Sequence, residues 1–119
     1  MSSETRVRAG TPEDLTRLFV ELANAGDAAG MAQLYEPDAV LDYPVGRPTV
    51  GRAAIRAVFE RMVAQRPTFA PEESLPTLRT GDIALTATRP RDDTGGRAQV
   101  VRRQPDGCWL RVLDRPEAR

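Results

Sequence analysis

The sequence contains no histidine and no lysine, so all seventeen of its basic residues are arginine. Without imidazole there is no Ser-His or Cys-His nucleophilic device. Without an ε-amine there is no Schiff base and no phosphate-loop lysine. Cysteine occurs once, at Cys108, which excludes an internal disulfide and a thiolate zinc cluster. A transition-metal site lacks its usual donors, while carboxylates leave a Mg²⁺ site formally open; the expectation is no metal and no cofactor. Chemistry falls to Asp, Glu, Tyr, Arg and the backbone. No apolar run approaches the ~20 residues of a membrane span. The first residues lack the apolar stretch of a secretory signal, and the expected location is cytoplasmic. Seventeen acidic residues cancel the seventeen basic ones, and the signs are interspersed. Neither nucleic acid nor membrane is expected as a partner.

What is present suits one domain. The chain has 119 residues, 40% hydrophobic and 29% charged, which is ordinary for a soluble globular fold. The domain is expected over residues 9–116, with residues 1–8 and 117–119 frayed. Thr11-Pro12-Glu13-Asp14 supplies a capping hydroxyl, a proline at the first helical position and acids in the first turn. Leu15, Leu18, Phe19 and Leu22 follow at helical spacing, and Gly26 is placed to stop the helix. Asp27 caps a short second helix expected through Tyr35, ended by Pro37. A strand is expected over Ala39–Tyr43, then a loop through Pro44-Val45-Gly46-Arg47-Pro48. A third helix runs from Gly51 to about Gln65, with Ile55, Val58, Phe59, Met62 and Val63 on its apolar side. Residues 69–80 read as a weak edge segment interrupted by Pro71 and Pro76. A meander completes the chain: strands over Asp82–Arg89, Arg97–Gln104 and Cys108–Asp114, with turns at Arg91–Gly96 and Pro105-Asp106-Gly107.

Helices followed by an antiparallel meander give an α+β order. Three helices cannot cover both faces of such a sheet. A sheet curled around a long helix buries the apolar stripes and leaves an open mouth, where a small-molecule pocket forms.

Phe19-Val20-Glu21-Leu22 through Gly26-Asp27, Leu34-Tyr35-Glu36-Pro37-Asp38-Ala39-Val40, Pro44-Val45-Gly46 and Gly51-Arg52-Ala53-Ala54-Ile55 stand in an order and spacing that resembles the NTF2-like superfamily. Within it, the likeness is to the ketosteroid-isomerase-like and SnoaL-like branch. Val101 through Trp109 and the ending Leu113-Asp114-Arg115-Pro116 resemble that branch's final hairpin. The resemblance implies an NTF2-like cone with a deep apolar cavity, a hydrophobic small-molecule ligand and a homodimer. In ketosteroid isomerases a carboxylate base works beside a tyrosine and a protonated Asp that hold the enolate oxygen. Laid on this chain, the helix tyrosine falls on Phe19, the base on Tyr43 and the protonated Asp on Gln99. Tyr35 matches a supporting tyrosine and Phe59 replaces another. Authentic steroid isomerisation is therefore not expected.

Asp114 is the leading candidate for catalysis. Strict alternation through the last strand puts Leu110, Val112 and Asp114 on one face and Trp109, Arg111 and Leu113 on the other. Leu110 and Val112 then line the cavity, and an acid at its rim can move a proton. Last-strand acids serve that role in SnoaL-like cyclases, so the resemblance agrees. The alternative is a solvated acid that merely ends the strand. Tyr43, in step with Ala39 and Leu41, is the second catalytic candidate, its hydroxyl aimed at a substrate carbonyl, or else a core tyrosine. Phe19, Tyr35, Phe59 and Gln99 are candidates for the substrate-binding wall. On the neighbouring strand Leu85, Ala87 and Arg89 share the inward-reading face with Ile83, and Arg89 there orients Asp114 or grips an anion, unless it is a solvated strand end. Trp109, Leu113 and Val40 read as an outward apolar face suited to a second copy. The expected activity is cofactor-independent isomerisation or cyclisation of a hydrophobic carbonyl compound by proton transfer. The alternative is a non-catalytic ligand-binding or accessory protein. A third reading is an epoxide hydrolase, built on an acid–arginine pair near a tyrosine.

Overall fold

The computed structural model describes residues 8–90 and 95–118. The turn expected at Arg91–Gly96 therefore falls, but for its two glycines, outside the described residues, as does most of the expected N-terminal fraying.

Helix α1 spans Pro12–Asn24. Thr11 and Asp14 form a reciprocal capping box that satisfies backbone donors left open at the helix start. Leu15 and Leu18 are fully buried, with Phe19 and Leu22 half-buried beside them. Gly26 follows with φ +72°, a left-handed position that glycine takes without a Cβ clash. Asp27 then caps α2, Ala28–Ala32, by accepting from the Gly30 N–H.

The short helix ends three residues before its expected boundary, and Tyr35 begins strand β1, Tyr35–Leu41. Leu34 carbonyl accepts from the Arg111 N–H at 2.7 Å, so sheet pairing already holds the chain there. Pro37 lies inside β1, where pairing with the last strand is irregular between Tyr35 and Val40. Its missing N–H removes no ladder bond at such a bulge, so the proline is tolerated. The strand stops at Leu41 rather than Tyr43. A two-residue strand β2, Thr49–Val50, pairs back onto it. Gly51, at φ +94°, turns the chain from β2 into α3, Arg52–Val63, while its N–H reaches Ala39 carbonyl at 2.8 Å. Ile55, Val58 and Phe59 bury the inner face of α3.

Short strands β3 (Glu73–Ser74) and β4 (Leu78–Thr80) pair with β5, Ile83–Arg89. Strands β6, Gly96–Arg103, and β7, Trp109–Ala118, complete the sheet. Its order is β2-β1-β7-β6-β5-β3, with β4 also on β5. All pairs are antiparallel except β1 with β7, which is parallel. The sheet curves around the helices, giving the α+β cone expected from the sequence. β7 continues through Glu117 and Ala118, residues expected to be frayed.

β5 presents the face opposite to the one expected, and β7 does so as far as Val112. In β5, Ala84, Thr86 and Thr88 are buried, while Ile83, Leu85 and Arg89 are exposed and Ala87 is half-buried. Arg89 pairs with Glu73 at 3.2 Å on the outside. Apolar residues alone pointed the wrong way because this strand carries them on both faces. In β7 the pairing runs Arg102 with Leu110, Val101 with Arg111, then Val100 with Leu113. Val112 is thus an extra residue, a bulge that reverses the parity of the residues from Leu113 to Arg115. Trp109 and Arg111 are buried before it and Asp114 after it, while Leu113 is 49% exposed. Trp109, expected to face outward, is 2% exposed, with the Arg79 guanidinium 4.8 Å from its ring centre. Leu110 and Val112 alternate with the buried pair rather than with Asp114, and Leu110 lines a separate recess beside Cys108.

Candidate functional site

The β7 bulge brings Arg111 and Asp114 to the same side of the sheet. Both are buried, and Arg111 Nη1 stands 3.5 Å from Asp114 Oδ2. From β1, the fully buried Tyr35 hydroxyl donates to Asp114 Oδ2 at 2.5 Å and accepts from Arg111 Nη1 at 3.2 Å. The former length is that of a charge-assisted O–H···O⁻ bond. From β6, Gln99 Nε2 donates to Asp114 Oδ1 at 3.2 Å. Gln99 is itself fixed across the sheet, because Thr86 Oγ1 donates to its Oε1 at 2.8 Å. This orders the amide with its nitrogen toward the acid. Three strands thus meet at one carboxylate, and a fourth, β5, holds Gln99 in place.

The electrostatics follow from burial. Removal from water pushes the Tyr35 phenol well above its ordinary pKa, and the adjacent Asp114 adds to this, with Arg111 opposing. Tyr35 is a neutral donor to the acid. Burial works against the Arg111 cation, but Tyr35 and Asp114 outweigh it and hold its pKa above the usual arginine value. The cation also lies 4.9 Å from the Phe19 ring centre and 5.7 Å from that of Tyr35, distances at which ring quadrupoles attract it. Arg111 Nε is buried with no hydrogen-bond partner.

A cavity of about 160 Å³ opens against this cluster. Phe19, Val20, Met62 and Phe69 supply apolar wall, and Gln99, Arg111 and Asp114 supply polar surface. Phe19 meets Phe59 and Phe69 edge to face, at 5.6 and 6.2 Å between ring centres. Phe59 is buried behind it, against Tyr35. Glu72, Thr88 and Arg97 form a second polar group on the cavity. Arg97 Nε donates to both Glu72 oxygens at 2.9 and 3.0 Å, and Thr88 Oγ1 donates to Oε1 at 2.9 Å. Among the described residues no cluster of acids and cysteine converges to hold a metal ion.

The structure thus gathers Asp114, Tyr35, Gln99 and Phe19, with Phe59 in support. It does not bring the other candidates there. Tyr43 lies beyond the end of β1 and packs into a different recess, with Pro44, Val58, Met62 and Pro67. Leu85, Ala87 and Arg89 belong to the other face of β5, and Leu110 to another recess. An arginine does stand beside Asp114, but it is Arg111. Regular alternation separates residues three apart in a strand, so only the bulge unites these two. Glu72 and Arg97 had no signal in a sequence without a recognisable strand around residue 72.

Among the described residues no helix is long and apolar enough to cross a membrane. The family model of the SnoaL-like domain matches residues 16–112. A search of curated proteins finds no match. Among solved structures, a ketosteroid isomerase-like protein from Erwinia carotovora atroseptica superposes with a TM-score of 0.69 at 20% identity, over 87% of this chain and 89% of that one. An NTF2-like protein with a cystatin-like fold from Novosphingobium aromaticivorans gives 0.64 at 22% identity, over 86% and 75%. A proposed dehydratase of the NTF2-like family from Streptomyces avermitilis gives 0.66 at 18% identity, over 88% and 93%. At these identities the structures establish the fold alone, and the family match covers most of the sequence: the chain belongs to the SnoaL-like domain family, on an NTF2-like cone.

Proposed function

We propose that the protein is a cofactor-independent enzyme that moves a proton on a hydrophobic carbonyl compound, with Asp114 as the base. The observation that carries this reading is an acid 6% exposed that nevertheless lines a cavity with apolar walls. Asp114 accepts one bond on each oxygen from Tyr35 and Gln99, and a carboxylate retains further lone pairs. One of these takes a proton from a carbon next to the substrate carbonyl. The C–H electron pair becomes the enolate, and Asp114 becomes the neutral acid that returns the proton at the same or a conjugated carbon. Gln99 and Tyr35 hold the carboxylate in one orientation throughout.

Incubation with small enolisable ketones in deuterated water tests this. Deuterium should enter the α position faster with protein present, and Asp114→Asn should remove about 10²–10⁴-fold of the acceleration. A correctly folded Asp114→Asn variant that exchanges as fast as the native protein overturns the reading.

A second reading, ligand binding without turnover, is favoured by the two donors already on Asp114 and by the absence of a carboxylate at the position of Tyr43. It predicts saturable binding with no exchange in either protein.

A further inference from the structure

We propose that the cavity takes a ligand of a single ring, or a chain of similar bulk, carrying one neutral oxygen function, and that the Arg111 guanidinium receives that oxygen. This rests on reading the Asp114 cavity as the reaction site and names the class of substrate it admits.

Size is the first argument. The cavity measures about 160 Å³. A dry protein cavity of about 150 Å³ accommodates benzene. One ring therefore matches the space between Phe19, Val20, Met62 and Phe69, and a fused four-ring body exceeds that volume. The residues that bound it are not slack. Phe19 is wedged edge to face between Phe59 and Phe69, and Phe59 is 1% exposed.

Donor accounting is the second. Arg111 lines the cavity and is 3% exposed. Its Nη1 donates to the Tyr35 hydroxyl, and its Nε has no partner. A guanidinium offers five N–H donors, and the protein itself uses few of this one's. An oxygen acceptor arriving in the cavity meets a guanidinium whose charge is paired but whose donors are not all taken by the protein. In the proton-transfer reading, that same contact strengthens as the carbonyl oxygen becomes an enolate.

Charge is the third. Arg111 is already balanced by Asp114 at 3.5 Å, and on the same cavity Glu72 is balanced by Arg97 at 2.9 Å. A carboxylate ligand adds a net negative charge beside Asp114 in a site removed from water, where like charges repel strongly. A ketone, enone or alcohol adds none.

Titration calorimetry of the native protein tests size and charge without any variant. Cyclohexenone should bind saturably. Methylcyclohexane, benzoate and a four-ring steroid enone should each bind at least about tenfold more weakly, since they lack the oxygen, add a charge or exceed the space. Arg111→Lys keeps the charge and loses the planar donor edge, and should weaken cyclohexenone about tenfold while leaving methylcyclohexane unchanged. Should Arg111→Lys not fold, the native series still decides. Tight binding of benzoate or of the steroid, or no preference for cyclohexenone over methylcyclohexane, overturns the inference. Binding of the single-ring enone without Asp114-dependent exchange upholds it and removes the proton-transfer reading. Exchange on large substrates with no affinity for small ones does the reverse.

Discussion

The Tyr35 hydroxyl donates to Asp114 Oδ2 at 2.5 Å across a sequence separation of 79 residues. The parallel pairing of β1 with β7 makes this contact. It ties the first strand of the sheet to its last long strand through a single proton held in the interior. Both residues are buried, so the bond is an element of stability as well as of the site.

Tyr35→Phe removes the hydroxyl and little else. A hydrogen bond to a charged acceptor contributes roughly 1.5–3 kcal/mol, and Asp114 keeps Gln99 and Arg111 as partners. The variant is expected to fold and to lose about that much stability, measured as a lower midpoint in urea with an unchanged slope. If Asp114 acts as the base, the variant also exchanges substrate protons more slowly, because one of its two orienting donors is gone.

The same pair sets an alkaline limit. The folded-state pKa of Tyr35 lies well above the ordinary phenol value of 10.0, through burial first and Asp114 second. A group whose pKa is raised on folding holds its proton more tightly in the native state. Its contribution is therefore complete below the unfolded pKa and declines as pH rises from there toward the folded one. Stability measured by urea midpoint is expected to fall as pH rises above about 10. Tyr35→Phe, less stable at neutral pH, should show a shallower fall over that window. Parallel slopes for the two proteins would contradict the assignment.

Arg111 and Asp114 form a buried pair whose members are costly apart. Arg111→Met leaves the carboxylate without its cation and is expected to cost about 3–5 kcal/mol. Asp114→Leu leaves the guanidinium stranded at a similar cost. The double variant removes both charges and should cost clearly less than the sum of the two. Denaturant unfolding of all four proteins closes the cycle, and additivity within about 0.5 kcal/mol would show that the two residues do not interact.

Much of the fold is legible in the sequence because its signals are local. The Thr11–Asp14 capping box, the Leu15–Leu18 stripe and the glycine after α1 act within a few residues of one another. The meander strands lie between recognisable turns. The site is less legible because its signals are not local. Asp114 faces the cavity, but not by the alternation that suggested it: the Val112 bulge brings it into the company of Arg111 instead of Leu110 and Val112. A bulge depends on how two strands register, which a single strand's pattern does not carry. β5 misleads for another reason. Ile83, Leu85 and Ala87 look like core, yet the inner face needs Thr86 to hold Gln99, and the apolar residues lie outside. Tyr43 misleads because the strand ends two residues early at Leu41, and beyond a strand's end parity means nothing.

Those outward apolar residues lead to the last expectation. Val40, Leu85, Val100 and Leu113 share a shallow groove on the outer face of the sheet, with Leu85 40% and Leu113 49% exposed. The charged groups at its edge, Arg115 and Asp42, are paired with each other at 3.1 Å. Asp114, whose cation Arg111 lies beside it, also reaches this groove. An apolar face whose charges are paired within one copy carries no repulsion that would keep a second copy from the isologous contact of a two-fold interface. On the proposal that two copies meet there, light scattering of the native protein gives the mass of a dimer. Leu113→Glu places a carboxylate on each side of the axis. At about 2 kcal/mol or more for each buried polar group, applied twice by the symmetry, the dissociation constant rises roughly a thousandfold. The variant is then a monomer at micromolar concentration with unchanged far-ultraviolet circular dichroism, because Leu113 lies outside the core. A native protein that scatters as a monomer, or a variant that remains a dimer, would remove this face as the interface while leaving the interior site untouched.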